Sequence, residues 1–302
     1  MFYTNQSNHL ASAGSVPIIG GDIHEGVEVV ERRSDVLWDE YKIIKRSQQP
    51  SIIRIFPHSA TQEDVLEFYS KGKEELKKFE LLQDEPFAYV VPLINYSFTR
   101  EHGFPFVETR CTENKINLAS DRICTTEQIL LLAEQVSRTL AICHNAGIIH
   151  GAITYESIWY EPFHQNYILD GFGSSLLNDD QRNKLFENDS LYNFLHPEQK
   201  KGKIGFHTDV YSLGLVLLQM LAGTSWHELF YTRGKEDFQR MINRLRESIQ
   251  VEGDKFSVPE WFTSMVYSCL QTGGEKISNG LELYDQFLYN QLKSTTISKK
   301  EI

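Results

Sequence analysis

The sequence predicts an α+β fold in two parts, a small β-sheet portion carrying one helix and a larger, mainly helical portion. Three observations predict it. Short β-type segments crowd the first sixty residues, helical spacing takes over near Gln62, and from Thr125 onward the apolar pattern is helical almost throughout. At 302 residues, with 41 % hydrophobic and 12 % aromatic side chains, the chain can bury a sizeable core without disulfides or metals, which excludes intrinsic disorder for most of its length.

Residues 1–25, rich in Ser, Asn and Gly and poor in charge, read as an N-terminal extension. Val27 to Val30, Val36 to Ile44 and Ser51 to Phe56 have strand composition. They are joined by the polar stretches Glu31 to Asp35 and Lys45 to Pro50, which predicts a three-strand meander. Val65, Phe68, Leu76, Phe79 and Leu82 then return at helical spacing within Gln62 to Gln83. Phe87 to Ile94 and Phe104 to Glu108 read as two further strands, closing a first domain over residues 26–110. The second, residues 111–293, opens on a capping box at Thr125 to Gln128, followed by an apolar face of Ile129, Leu132, Val136, Leu140 and Ile142. Asp209 to Leu221 is apolar nearly all round, as expected of a central helix, and Asp237 to Leu292 alternates amphipathic helices with turns. Residues 294–302 are polar and read as a frayed tail.

Charge and cysteine usage narrow the function classes. Thirty basic against 41 acidic side chains leave a net charge of −11, which argues against nucleic acid as a partner. Cys111, Cys124, Cys143 and Cys269 stand singly, without zinc spacing, as expected of reduced thiols in a cytoplasmic protein. The longest apolar run, Leu213 to Ala222, is too short for the roughly 20 residues of a membrane span, and no signal peptide opens the chain.

Two segments carry a resemblance. The first is LAICHNAGIIHGAITYES at residues 140–157, followed by YILDGFG at 167–173; the second is FLHPEQ at 194–199, followed by DVYSLGL at 209–215. In order, spacing and hydrophobic context, these resemble the eukaryotic-type protein kinase family over about residues 26 to 292. The resemblance implies a bilobal protein kinase-like fold, a small β-sheet lobe with one helix plus a larger, mainly helical lobe.

It also implies where the chemistry would sit, and most of those positions are altered. Phosphoryl transfer in this family needs a glycine turn over the phosphates, a lysine on the third strand, metal-holding Asp and Asn, and a base for the substrate hydroxyl. No glycine lies between Gly26 and Gly72, and Glu31 to Asp35 with Arg32 and Arg33 fills the expected turn. Arg54 stands in the lysine position; its forked guanidinium does not reproduce a point contact, and pairing with Glu75, or secondarily Glu80, on the following helix is expected. Ala152 occupies the position of the base and Ser157 that of the metal-binding asparagine, with Glu156 beside it as a weak substitute. Aligning Phe172 and Gly173 with the family puts Gly171 in place of the metal-binding Asp; a one-residue bulge would instead bring Asp170 there. Arg54 and Asp170 are thus the candidate residual contacts to nucleotide or metal.

The packing positions persist. His150 and Phe172 resemble the family's internal spine, Asp209 its catalytic-loop brace, and Glu198 the residue that docks the activation segment, with Lys276 as its candidate partner. Gly151 replaces the arginine that would receive a loop phosphate. The expected function is therefore a catalytically inactive pseudokinase that scaffolds or allosterically regulates another protein, with no cofactor, no metal, and weak or absent ATP binding. The alternative is a kinase-fold enzyme with non-standard nucleotide chemistry, nucleotidyl or glutamyl transfer, or a nucleotide sensor, using Arg32, Arg33, Arg54, Asp170 and Glu156. Candidate partner surfaces are the acidic stretch Ser174 to Leu195, the N-terminal extension and Trp226 to Tyr231.

Overall fold

The computed structural model describes residues 27–34, 39–45, 49–56, 62–82, 85–98, 104–111, 116–118, 125–186, 189–222, 259–272 and 277–298. They group into two compact units. One is drawn from Met1–Phe79, Val91–Glu113 and Leu176–Asn188, the other from Glu80–Val90, Asn114–Ser175 and Asp189–Ile302. The stretch 80–90 groups with the second unit and 176–188 with the first.

The first unit is built on a five-stranded antiparallel sheet in the order β1-β2-β3-β5-β4. Its strands are β1 Val27–Ser34, β2 Asp39–Lys45, β3 Ser51–Ile55, β4 Leu93–Phe98 and β5 Pro105–Arg110. The expected meander is present, but β1 runs through Arg32 and Arg33, which pair with Tyr41 and Glu40 across the ladder. The two arginines thus belong to a strand rather than to a turn. Strand β4 begins at Leu93, later than Phe87, because the residues before it are recruited elsewhere: Val90 forms an isolated bridge to Leu169 in the second unit.

Alternation sorts this sheet into two faces. Tyr41, Ile43, Ile53, Ile55 and Phe106 form a buried apolar cluster on one. Helix α1, Gln62–Leu82, meets β4 through aromatic rings, Phe68 lying 4.9 Å from Phe98 and 5.8 Å from Tyr96. The stretch 176–186 packs onto the same unit, burying Leu176, Leu177 and Phe186 and donating a 2.7 Å hydrogen bond from Asn178 to Asp64 of α1. It contains helix α3, Asp179–Leu185, with Asp179 and Asp180 in its first turn.

The second unit is mainly helical. Its helices are α2 Thr126–Asn145, α4 Asp189–Tyr192, α5 Phe206–Ala222, α6 Glu260–Cys269 and α7 Gly280–Ser298. Thr125 caps α2 in the expected box with Gln128. In α5, Val210, Leu213, Leu215, Val216, Leu217 and Leu218 have no exposed surface, confirming it as the central helix. Helix α7 continues to Ser298, so residues 294–298 are helical rather than frayed. Its first residue allows a close crossing: a Cβ on Gly280 would lie 2.4 Å from the Leu140 carbonyl carbon of α2. A small sheet, β6 Ile116–Asn117, β7 Ile158–Glu161 and β8 Asn166–Leu169, flanks the loop that leads out of α2.

Candidate functional site

The loop after α2, residues 148–157, is held by the carboxylate of Asp209, fully buried in the first turn of α5. One oxygen accepts the His150 amide at 2.8 Å, and the other accepts the Gly151 amide at 2.7 Å. His144 faces the same carboxylate through Nε2 at 3.1 Å, while its Nδ1 accepts the Gly280 amide at 2.8 Å. That acceptor role leaves the proton on Nε2, so His144 donates to Asp209 as a neutral ring. Helices α2, α5 and α7 therefore converge on one buried acceptor.

The carbonyls of the loop are equally engaged. Ser174 donates to the His150 carbonyl and Gln199 to the Gly151 carbonyl, each at 2.6 Å. The His150 ring accepts the Ala152 amide on Nδ1 and so donates from Nε2 to the Asp170 carbonyl at 2.8 Å. It also packs 4.6 Å from the Phe172 ring. Gly151 sits at φ 73°, and a Cβ there would stand 2.8 Å from Ser174 Oγ. A side chain at this position needs both a left-handed backbone and a displaced serine.

Around this frame lie the positions that the resemblance singled out. Ala152 is buried at 4 % exposure and carries no proton acceptor. The Ser157 hydroxyl accepts from the Thr154 amide at 2.9 Å and donates to the Thr154 carbonyl at 2.8 Å, so it closes its own turn. Asp170 follows β8: its amide donates to the Ser157 carbonyl at 2.8 Å, and its carboxylate accepts the Gly171 amide at 2.6 Å. The β7–β8 ladder runs from Glu161↔Asn166 to Ile158↔Leu169 without a register shift. That ladder ends at Leu169, and the chain turns after Asp170, on Gly171 at φ 90° and Gly173 at φ 121°.

In the first unit, Arg54 of β3 is 4 % exposed. Its Nε donates to Glu40 at 3.0 Å and its Nη1 to Thr109 at 3.2 Å. The carboxylate bonded to its Nε is thus on the neighbouring strand, placed by the register pair Glu40↔Arg54. Glu75, the helix carboxylate expected for Arg54, is buried on α1 with the Lys78 ammonium 3.7 Å away, and Glu80 is exposed. For Glu198 the structure supplies a partner the sequence reading missed, His207 at 2.8 Å; Lys276 lies outside the described residues. Both partners follow from pairing across space. Only the Glu40 pairing had a sequence signal, the period-2 register of the β2–β3 hairpin.

Comparison with known proteins places this arrangement. Residues 68–276, well over half of the chain, match the protein kinase domain model, so the chain belongs to the protein kinase domain family. A curated relative, CBL-interacting serine/threonine-protein kinase 15 of Arabidopsis thaliana, is 26 % identical over 152 residues. That match takes in 43 % of this chain and 36 % of the relative, so it spans little more than a third of that kinase's length. Among solved structures, the maize SIRK1 kinase domain bound to AMP-PNP is similar at TM-score 0.65 and 16 % identity, covering 87 % of this chain and 92 % of that one. The Mycobacterium tuberculosis PknI kinase domain is similar at TM-score 0.60 and 12 % identity, covering 88 % and 96 %. The fold is the bilobal α+β protein kinase-like one. No helix among the described residues is long and apolar enough to cross a membrane.

Proposed function

We propose that this kinase-family protein is catalytically silent and acts by binding another protein, as a scaffold or allosteric regulator. The observation that carries this reading is the contrast between the frame and its contents. Asp209, His144, His150 and Phe172 hold the loop through buried bonds and ring contacts, while Ala152 offers no base and Ser157 closes its own turn. A positioned general base contributes roughly 10²–10⁴ in rate, and metal-held charge several kcal/mol more. Of the family's magnesium-binding positions only Asp170 keeps a carboxylate, shifted by one residue, so the donor set does not fit the ion the family uses. Binding to a partner needs only the frame.

The test is MgATP turnover and binding by the purified chain. The expected outcome is no phosphate transfer above background and no rise in unfolding temperature with millimolar ATP. Transfer at ordinary kinase rates, abolished in Asp170→Asn, would overturn the reading. The nucleotide-using alternative predicts protection instead: ligand at 100 times its Kd stabilises by about 2.7 kcal/mol. Product analysis then separates a sensor from a transferase. That alternative draws on Arg32, Arg33, Arg54, Asp170 and Glu156, of which Arg54 and Asp170 are buried.

A further inference from the structure

From the turn 196–198 and the start of α5 we infer a divalent transition-metal site formed by His196, Glu198 and His207, apart from the loop described above. Each of the three presents a ligand atom within 4.8 Å of the other two. His207 Nε2 already meets Glu198 Oε2 at 2.8 Å, and the rings of His196 and His207 stand edge to face, 4.9 Å between centroids and at 90°.

The surroundings hold these side chains in place. His196 is 1 % exposed, and its ring edges against Tyr211 of α5 at 4.9 Å. Its Nδ1 accepts the Glu198 amide at 3.0 Å, which fixes the ring relative to the carboxylate. Gly205 makes room for the other imidazole, since a Cβ there would stand 3.0 Å from His207 Cε1 and Nδ1. Histidine and carboxylate side chains thus converge from two elements nine residues apart in sequence.

The chemistry of the set selects the ion. Two imidazole nitrogens and one carboxylate oxygen suit zinc and its first-row neighbours, whereas magnesium prefers an all-oxygen octahedron. Zinc binds nitrogen at about 2.0–2.1 Å, which sets ligand atoms roughly 3.3 Å apart. The Glu198–His207 pair therefore opens by about half an ångström to admit the ion. The ion takes the place of the proton shared between Nε2 and Oε2, and that proton passes to His207 Nδ1 or to solvent. Three protein ligands leave a fourth position for water. Bound metal would pin the turn 196–198 to α5 through coordinate bonds in place of one hydrogen-bonded pair.

The experiment uses the full chain, dialysed against chelator and titrated with ZnCl₂ or CoCl₂. Expected are a zinc-dependent rise in unfolding temperature and a visible Co²⁺ absorption band of the intensity low-coordinate nitrogen and oxygen ligation gives. His207→Gln and Glu198→Gln, both at partly exposed side chains, should each weaken binding at least tenfold. His164→Gln, which removes the separate exposed pair with Glu161, should leave it unchanged. Absence of both signals, binding that survives His207→Gln, loss of binding in His164→Gln, or equal stabilisation by MgCl₂ would each overturn the assignment.

Discussion

Asp209 shows how much of this structure rests on one side chain. It is fully buried, and its two oxygens accept two backbone amides and face a histidine that is itself held by a third amide. Replacing it by asparagine keeps the shape but turns an NH₂ toward groups that are all donors. Leaving one buried donor unmatched costs about 1–3 kcal/mol, and bonds to a charged acceptor are worth more than neutral ones. Asp209→Asn is expected to lower stability by about 3 kcal/mol, read from the urea midpoint; a midpoint within the error of the parent would refute the bracing role. The same scale shows why Gly151 matters. Its φ of 73° and the neighbouring Ser174 hydroxyl leave no comfortable place for a side chain. That residue 152 is an alanine and residue 157 a serine was legible as residue identity, which needs no coordinates. That the Ser157 hydroxyl spends both its donor and an acceptor site on Thr154 was not legible, since a serine's hydrogen bonds depend on the turn around it.

At the scale of elements, helices were easier to read than strands. The start of α2 followed from local chemistry alone: the Thr125 hydroxyl accepts the Gln128 amide, and the Gln128 side chain accepts the Thr125 amide. Thr125→Ala is therefore expected to cost about 1 kcal/mol and Thr125→Ser much less. Equal midpoints for all three proteins in chemical denaturation would remove the cap from the account. Strand limits misled where pairing overrode composition. Charged Glu31, Arg32 and Arg33 belong to β1 because Lys42, Tyr41 and Glu40 oppose them, and apolar Phe87 to Val90 lies outside β4. In both cases hydrogen bonds to another segment, absent from any local window, decided the outcome.

For the whole molecule, burial predicts a pH dependence. Desolvation pushes the Cys269 thiol from 9.0 up to about 12, and burial also raises the Tyr211 hydroxyl. Below the unfolded value the thiol is neutral in both states. Above it the unfolded chain loses the proton while the folded chain retains it, so stability falls as pH rises from about 9 toward 12. The denaturation midpoint should therefore drop across that window, with a shallower drop in Cys269→Ala; parallel profiles for the two proteins would refute the contribution. The division into units is also a whole-molecule property. Residues 176–188 follow the kinase-like loop in sequence yet cluster with the β-sheet unit, through buried Leu176, Leu177 and Phe186 and the Asn178–Asp64 bond.

The sequence by itself determined the element types, the central apolar helix and the family, because period, capping and residue identity act within a short window. Only the tertiary structure decided that Glu40 bonds to Arg54, that Glu198 meets His207, and that His196 stands beside them. These are distances between residues that spacing along the chain does not constrain, and burial and strand register set them when the elements pack.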